Sequence, residues 1–182
     1  MEVLKPKFSL DTGKKILTGK QIQTAKKTYG EAKGFYKEID SSLSQDTLMY
    51  EVFSYEEGDL KVSGNLFTGL TVLYPVLVKG ECNMTRGHFH HNTNCAEIYG
   101  GLSGSGLLLL MDESHKTWAE EVFTGSIHYI DGRLAHRLIN TGEEPLRVLC
   151  VWPTTAGHDY QRVEENPFGI RVFKSGGKVE YR

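Results

Sequence analysis

The hydrophobic and polar positions follow one pattern from Leu48 onward: short apolar runs are separated by glycine, asparagine, aspartate and proline. Turn signals such as Thr124-Gly125 and Asp131-Gly132 stand between the runs. Short strands at a spacing of roughly ten residues are typical of an all-β sandwich or barrel. The predicted strands are Leu48–Tyr55, Gly69–Val78, Met84–His90, Ala96–Leu102, Gly106–Met111, Thr117–Phe123, Ser126–Ile130, His136–Asn140, Leu146–Trp152 and Ile170–Phe173.

The N-terminal part of the chain differs from this pattern. Residues 1–44 are polar and rich in lysine, and Thr18–Lys27 is predicted to form a short helix that Gly30 and Gly34 would end. A length of 182 residues favours one domain. We therefore expect residues 1–44 to form an arm or cap on a β core over residues 45–160, with a C-terminal extension over residues 161–182.

Charge and composition exclude several classes of protein. The 21 Lys and Arg against 23 Asp and Glu leave a formal charge of -2, so no basic excess exists to follow a nucleic-acid backbone. The longest apolar run, Val72 to Val78, is far shorter than the about 20 residues of a membrane-spanning helix. Cys82, Cys95 and Cys150 are scattered, which favours free thiols in a reducing cytoplasm.

A histidine pair and a glutamate form the first candidate site. His88 and His90 flank Phe89, so on a strand both imidazoles project from the same face, roughly 6.5–7 Å apart along the chain. Glu97 follows a polar link and would return on an adjacent strand. Imidazole and carboxylate ligands suit Fe, Mn, Ni or Zn and leave positions open for substrate or water.

His136 is the fourth ligand candidate, because it follows the turn at residues 131–133 and begins a predicted strand. A lone histidine on a strand is more often a surface or hydrogen-bonded residue, and a short motif gives many false matches. The agreement of several elements favours a metal site over that interpretation. The remaining histidines of this region lack such partners and are assigned to the surface: His91, His115 and His128.

These residues resemble the two cupin motifs. His88, His90, Glu97 and Gly104 match the first motif, whereas Gly125, His136 and Asn140 match the second. Asp131 and Arg133 stand where the second motif has proline and glycine. The resemblance implies a cupin-type double-stranded β-helix, or jelly-roll, barrel that carries the N-terminal arm with its short helix.

Four segments make the resemblance narrower: Thr71-Val72-Leu73-Tyr74-Pro75, Thr85-Arg86-Gly87-His88-Phe89-His90, Ala96-Glu97-Ile98-Tyr99 and Ala156-Gly157-His158-Asp159-Tyr160. Together they are similar to the cupin-type phosphoglucose isomerases of archaea, also called glucose-6-phosphate isomerases. That family implies reversible conversion of glucose 6-phosphate to fructose 6-phosphate in glycolysis and gluconeogenesis. It also implies a homodimer and one divalent metal ion per subunit, Fe²⁺ first and Mn²⁺, Ni²⁺ or Zn²⁺ as alternatives.

The resemblance also implies site residues, position by position. The metal ligands would be His88, His90, Glu97 and His136. The substrate pocket would include Thr71, Thr85, Gly87, Tyr99, Trp152, His158 and Tyr160. Trp152 stands where the family usually has tyrosine, which keeps an aromatic wall but removes a hydroxyl group.

The chemistry of aldose–ketose isomerisation fits these residue types. Glu97 is the only carboxylate of the constellation, so it is the candidate base of a cis-enediol route as well as a ligand, with the metal holding O1 and O2. A hydride shift stays open. His158 is expected to move a proton during ring opening. Two other functions also stay open: a metal-dependent dioxygenase and a non-catalytic sugar-binding cupin.

The glycine-rich stretch Gly100–Gly106 has no nucleotide-binding pattern and is interpreted as a hairpin turn. The Leu107–Leu110 run that follows it is predicted to be core.

Overall fold

The structure is a computed structural model that describes the whole chain, Met1 to Arg182. Strands hold 46% of the residues and helices 7%, which confirms the all-β prediction. The strands are β1 (Phe8–Asp11), β2 (Ile16–Gly19), β3 (Gln23–Thr28), β4 (Leu48–Tyr55), β5 (Leu66–Leu73), β6 (Leu77–Val78), β7 (Glu81–Cys82), β8 (Glu97–Ser103), β9 (Gly106–Met111), β10 (Thr117–Val122), β11 (Ile127–Ile130), β12 (Ala135–Asn140), β13 (Leu146–Pro153), β14 (Val172–Ser175) and β15 (Lys178–Tyr181). The helices are α1 (Tyr29–Ala32) and α2 (Gln161–Glu165), and a 3-10 turn follows α1 at Lys33–Phe35.

Antiparallel sheets form the body of the molecule. The large sheet has the order β11-β8-β13-β5-β4-β3, and the small sheet has the order β10-β9-β12. A four-stranded sheet, β15-β14-β7-β6, and the hairpin of β1 and β2 complete the fold. Neither helix is long enough to be a candidate for a membrane span.

The core between the large and small sheets explains the leucine run. Leu108 and Leu110 pack with Leu73, Ile130 and Val148 in this layer. Alternate residues of β9 point to the other side, into a second cluster that α1, α2 and β14 help to cover. Because both faces of β9 are buried, its sequence is continuously apolar rather than alternating, as predicted for a core strand.

The predicted helix over Thr18–Lys27 is wrong. This segment contains the end of β2 and most of β3, and β3 is the outermost strand of the large sheet, paired with β4 along its length. Pairing with β4 supplies the backbone hydrogen bonds that an isolated helix would have to make by itself, so tertiary context overrides the local pattern. Helix α1 instead begins at Tyr29, after the N-cap residue Thr28, whose backbone N–H donates to the Glu31 carboxylate at 2.9 Å in a capping box.

Three further local predictions need correction. Met84–His90 is not one continuous strand, because it joins its neighbours only through isolated bridges such as His88 with His136. Gly100–Gly106 is not a hairpin turn, since β8 belongs to the large sheet and β9 to the small one. The predicted Gly69–Val78 strand is divided between β5 and β6, and Pro75 lies in the interruption. A proline has no N–H for a sheet ladder, which accounts for the break.

Candidate active site

His88, His90, Glu97 and His136 converge on one point inside the barrel. One ligand atom from each side chain lies within 4.8 Å of the others, as the motif spacing predicts. Glu97 begins β8 and His136 lies on β12, so the two sheets contribute opposite walls. Glu97, His90 and His136 are all buried. The chain therefore brings together three imidazoles and one carboxylate that lie far apart in the sequence.

Backbone carbonyl groups orient two of the imidazole rings. His90 Nδ1 lies 2.7 Å from the Cys95 carbonyl oxygen, and His136 Nδ1 lies 3.3 Å from that of Leu134. Donation from Nδ1 leaves the Nε2 lone pair of each ring directed at the centre of the site. This is the usual arrangement of histidines that bind metals.

The buried nitrogen atoms test whether a cation fits this site. The Nε2 atoms of His88 and His136 have no hydrogen-bond partner, although both are buried. The Glu97 Oε2 atom lies 3.1 Å from His136 Nε2 and 3.3 Å from His90 Nε2. Unpaired lone pairs directed at a carboxylate are costly to bury. A divalent cation would satisfy all of them, so the residues fit a metal ion.

Burial and neighbouring charges tune the titratable groups. Burial, together with His136 and His158, lowers the pKa of His88 well below its usual value, so its ring is neutral and free to bind a metal at neutral pH. Burial alone would raise the pKa of the Glu97 carboxyl, but His136 and His90 lower it overall. Burial would lower the pKa of His90, but Glu97 and the Cys95 carbonyl raise it overall. Glu97 is therefore ionised, although it is buried.

The turn before His136 is closed by a carboxylate where the cupin motif has proline. Asp131 accepts hydrogen bonds from the backbone N–H of Arg133 at 3.0 Å and from its guanidinium at 2.8 and 2.7 Å. Gly132 passes the backbone of the preceding segment so closely that a Cβ there would lie 2.4 Å from the Cys95 carbonyl oxygen. The hydrogen bonds of Asp131 thus hold the turn in place of the missing proline. Gly132 is required because the turn lies too close to Cys95 for a side chain.

A cavity of about 480 Å³ opens from this cluster between the sheets. Its size falls within the usual range of small-molecule sites. All the residues predicted for the substrate pocket line it: Thr71, Thr85, Gly87, Tyr99, Trp152, His158 and Tyr160. The structure therefore brings the predicted pocket residues and the predicted ligands together in one site.

His158 and Tyr160 cover one side of the cluster. The His158 ring centroid lies 4.4 Å from that of His88, and the Tyr160 ring stacks on His158 at 5.7 Å. Burial lowers the pKa of His158, so its imidazole is neutral at pH 7 and able to accept or pass on a proton. Tyr99 lies deeper, and burial with the nearby Glu97 raises its pKa well above the usual value. Tyr99 is therefore a hydroxyl donor.

Trp152 forms a wall of the cavity over a glycine. A Cβ at Gly69 would lie 2.9 Å from the Trp152 ring, whose edge also meets Phe67 at a centroid distance of 5.8 Å. The indole ring of Trp152 therefore packs directly on the backbone of β5, and only a glycine at position 69 leaves room for it.

The sequence prediction missed several lining residues. Gln23, Ala25 and Lys27 come from β3, and Tyr50 and Ser54 come from β4. The β3 residues are missed because the pattern of this segment favours a helix. On β4 the available signal is the two-residue strand period, which puts Tyr50, Val52 and Ser54 on one face.

One histidine is wrongly assigned to the surface. His128 is buried between two partners, with Nδ1 at 2.6 Å from a Glu120 carboxylate oxygen and Nε2 at 2.9 Å from the Ser126 hydroxyl. His91 and His115 are exposed, as predicted. The His128 partners lie on β10 and in the turn before β11, so only the tertiary structure reveals them.

Two antiparallel sheets that enclose three histidines and a glutamate define the chain as a cupin, the class that its motifs predicted. Residues 23–180 match the family described as Glucose-6-phosphate isomerase (GPI). The chain belongs to this family, which confirms the resemblance found in its sequence.

Two glucose-6-phosphate isomerases from the genus Thermococcus support this assignment. A glucose-6-phosphate isomerase of Thermococcus onnurineus is 33% identical over 96% of this chain and 90% of its own. That of Thermococcus kodakarensis is 36% identical over 82% of this chain and 80% of its own. Among solved structures, a deletion mutant of Bacillus subtilis oxalate decarboxylase aligns with a TM-score of 0.47 at 21% identity, over 60% of this chain. The match spans only 27% of the decarboxylase chain.

Proposed function

We propose that this protein is a metal-dependent glucose-6-phosphate isomerase that interconverts glucose 6-phosphate and fructose 6-phosphate. The observation that carries the proposal is the convergence of four ligand atoms within 4.8 Å at a sugar-sized cavity, in a chain that belongs to this family. The dioxygenase and the non-catalytic sugar-binding cupin have no comparable support among the relatives.

His88, His90, Glu97 and His136 would hold one divalent ion per subunit. Their mixed nitrogen and oxygen donors suit Fe²⁺, which is the proposed native metal, and also Mn²⁺, Ni²⁺ or Zn²⁺. When bound, such an ion supplies Lewis-acid stabilisation of negative charge on two neighbouring substrate oxygen atoms.

Glu97 is the proposed base that moves a proton between C1 and C2 of the open-chain sugar. It is ionised and buried, and the Tyr99 hydroxyl lies on the same face of β8. A cis-enediol route through Glu97 would exchange the transferred hydrogen with water. Reaction of fructose 6-phosphate in D₂O is therefore expected to place deuterium at C2 of the glucose 6-phosphate formed, and a complete absence of deuterium there would favour a hydride shift.

His158 is proposed to move a proton between the ring oxygen and O1 during ring opening. Its neutral imidazole and its position beside His88 support this role. Thr71, Thr85, Gly87 and Tyr160 are proposed to contact the substrate, since their hydroxyl and amide groups line the cavity, and Trp152 is proposed as its aromatic wall.

A coupled assay tests the activity. Protein loaded separately with Fe²⁺, Mn²⁺, Ni²⁺ or Zn²⁺ receives fructose 6-phosphate under anaerobic conditions, and a dehydrogenase specific for glucose 6-phosphate reports the product. We expect turnover without oxygen, and a Glu97→Ala variant purified in the same way controls for contaminating isomerase. No turnover with any of the four metals would overturn the proposal. Sugar-phosphate binding without turnover would indicate the binding cupin instead.

A homodimer and a cytoplasmic location complete the proposal. The β11 patch, defined as Ile98, Phe123, Ile127 and Tyr129, exposes apolar side chains, of which Ile127 is 72% and Tyr129 is 66% exposed. It lies at the edge of the large sheet, where β11 has an unpaired side. Such a patch favours association with a second subunit. The three cysteines are free and buried, which fits a reducing compartment.

A further inference from the structure

Lys27 lies on the wall that β3 contributes to the cavity. In the register of β3 and β4, Lys27 is opposite Tyr50, which lines the same cavity. Directly opposed residues project from the same face of a sheet. The neighbouring Lys26 is opposite Glu51 and forms an ion pair with it at 3.2 Å. Lys26 and Lys27 both line the cavity, but only Lys27 lies on the face of β3 that it shares with Tyr50, whereas Lys26 is paired with Glu51.

Arg86 lines the same cavity and belongs to the segment that carries the first motif. Its guanidinium lies 4.2 Å from the centre of the Tyr160 ring. On its other side, the Tyr160 ring is 5.5 Å from the ring of His88. One aromatic ring thus separates Arg86 from the metal-binding histidines. The Tyr160 ring therefore separates Arg86 from the end of the cavity where C1 and C2 of a bound sugar would lie.

The ion pairs of the two cations are weak and exchangeable. Lys27 lies 3.6 Å from Glu31, and Arg86 lies 2.6 Å from Glu164. The side chains of these two glutamates are 53% and 59% exposed, respectively. Exposed ion pairs contribute little to stability because water screens them. A doubly charged anion that entered the cavity would replace both glutamates at little cost.

We propose that Lys27 and Arg86 form a cationic pair that recognises the phosphate group of the substrate, an inference that rests on the proposed function. A sugar 6-phosphate carries its phosphate at the far end of the carbon chain from C1 and C2. Lys27 and Arg86 line the cavity without belonging to the metal-binding group, and the Tyr160 ring lies between Arg86 and His88. Thr85 and Tyr160 alone offer uncharged donors, whereas hydrogen bonds between charged groups are shorter and about twice as strong.

The guanidinium of Arg86 is the stronger member of the pair. Its planar group can donate two parallel hydrogen bonds to phosphate oxygen atoms, and Tyr160 holds it in a defined plane. Lys27 acts as a more flexible point charge, because its ammonium group lacks the planar shape of a guanidinium. The pair is expected to act on substrate affinity, since neither cation lies near C1 and C2.

The test compares the variants Arg86→Gln, Arg86→Lys and Lys27→Gln in the metal-loaded protein. We expect Arg86→Gln to raise KM for fructose 6-phosphate about tenfold or more, with kcat changed by less than about threefold. Lys27→Gln is expected to raise KM by a smaller factor. Arg86→Lys keeps the charge but loses the planar group, so its KM should lie between those of wild type and Arg86→Gln.

Inorganic phosphate provides a readout that does not depend on turnover. Titration calorimetry of the metal-loaded protein with phosphate should show weaker binding in Arg86→Gln and Lys27→Gln than in wild type. Arg182→Gln and Lys178→Gln, which remove the same charges from the exposed C-terminal segment, should bind like wild type. Equal metal content and equal circular dichroism verify that every variant is folded.

The possible outcomes separate this inference from the proposed function. If wild type isomerises the sugar and the variants match it in KM and in phosphate binding, the cationic pair is wrong and the isomerase stands. If wild type does not isomerise the sugar, calorimetry with phosphate still decides whether Lys27 and Arg86 bind the anion. A fall in kcat with KM unchanged would also overturn the proposed role.

Discussion

The orientation of the imidazole rings in this site depends on the backbone carbonyl groups that accept hydrogen bonds from them. The Cys95 and Leu134 carbonyl oxygens accept from Nδ1 of His90 and His136, so each ring presents Nε2 to the site. Two conditions therefore make a histidine a candidate ligand: its position on the strand directs the ring to the site, and its Nδ1 hydrogen bond presents Nε2. Spacing in the sequence reveals the first of these conditions and not the second.

Removing one imidazole is expected to weaken metal binding. His136→Ala takes away one of the nitrogen ligands, and we expect the affinity for Fe²⁺ or Mn²⁺ to fall at least tenfold, because even the loss of a group behind a ligand has an effect of about 10- to 100-fold. Metal analysis after equilibrium dialysis measures it. His115→Ala, which changes an exposed histidine, is the control. Equal metal occupancy in both variants would contradict the ligand assignment.

Asp40 gives a prediction on pH. Its carboxylate accepts from the Ser42 hydroxyl and backbone, and these bonds with the Lys79 backbone lower the pKa of Asp40 to about 2. A pKa below the unfolded value of about 3.9 means that ionised Asp40 stabilises the fold above that pH. We expect Asp40→Asn to lower the melting temperature at pH 7, with the difference from wild type shrinking as the pH falls toward 2.

Melting curves between pH 7 and pH 2 measure this difference. Asp46→Asn, at an exposed position of the same region, is the control. A difference that grows as the pH falls would show that Asp40 stabilises the protein in some other way.

Strands and turns in this protein meet at glycines where no side chain fits. Gly101, in the middle of β8, lies beneath the turn at residues 123–126, and its N–H donates to the Ser126 carbonyl at 2.9 Å. A Cβ at Gly101 would lie 2.0 Å from the Phe123 carbonyl oxygen. At the adjacent Gly100 it would meet only the Ile127 side chain, at 3.6 Å. A side chain therefore has no room at Gly101, whereas the space at Gly100 would accept one.

The two glycines make a matched pair of variants. Gly101→Ala is expected to lower the free energy of unfolding by about 1–3 kcal/mol, because the turn must move away from β8. Gly100→Ala should change it by less than about 1 kcal/mol. Urea unfolding measures both values. Similar losses in the two variants would contradict the close approach at Gly101.

The N-terminal arm shows how elements acquire their final form. Interpreted locally, Thr18–Lys27 favours a helix, but β3 finds an unpaired edge at β4 and becomes a sheet strand. The hairpin of β1 and β2 places Leu17 against Leu70 and Val72 on the outer face of the large sheet. These contacts join residues about fifty positions apart, so no local pattern could predict them.

The whole molecule combines these elements in one continuous structure. The arm contributes β3 to the large sheet, and the C-terminal segment contributes β14 and β15 to the four-stranded sheet. We propose on this basis that residues 1–182 act as one cupin domain, within which residues 1–44, 45–160 and 161–182 are the arm, the core and the extension.

The β11 patch predicts the behaviour of the molecule in solution. We expect sedimentation to give about twice the chain mass of 20.5 kDa, because the patch would be covered in a homodimer. Ile127→Lys places a charge in the patch and should shift the equilibrium toward a monomer. Lys178→Gln, outside the patch, should not. A monomeric wild type at micromolar concentration would contradict the homodimer.

The sequence by itself determined the strand pattern, the candidate ligand residues and the family. The alternation of side-chain faces along a strand is a local property of the sequence. The spacing of His88, His90, Glu97 and His136 can also be taken directly from the sequence. The bounds of β9 are predicted correctly, because a continuous apolar run leaves little choice of position.

Only the tertiary structure decided which distant groups meet. It put Lys27 beside Tyr50, the Trp152 ring over Gly69, and His128 between residues of other elements. The physical reason is that strand pairing at a sheet edge and close side-chain packing join segments that are far apart in the sequence. The local preference of a segment for helix or strand does not depend on either of them.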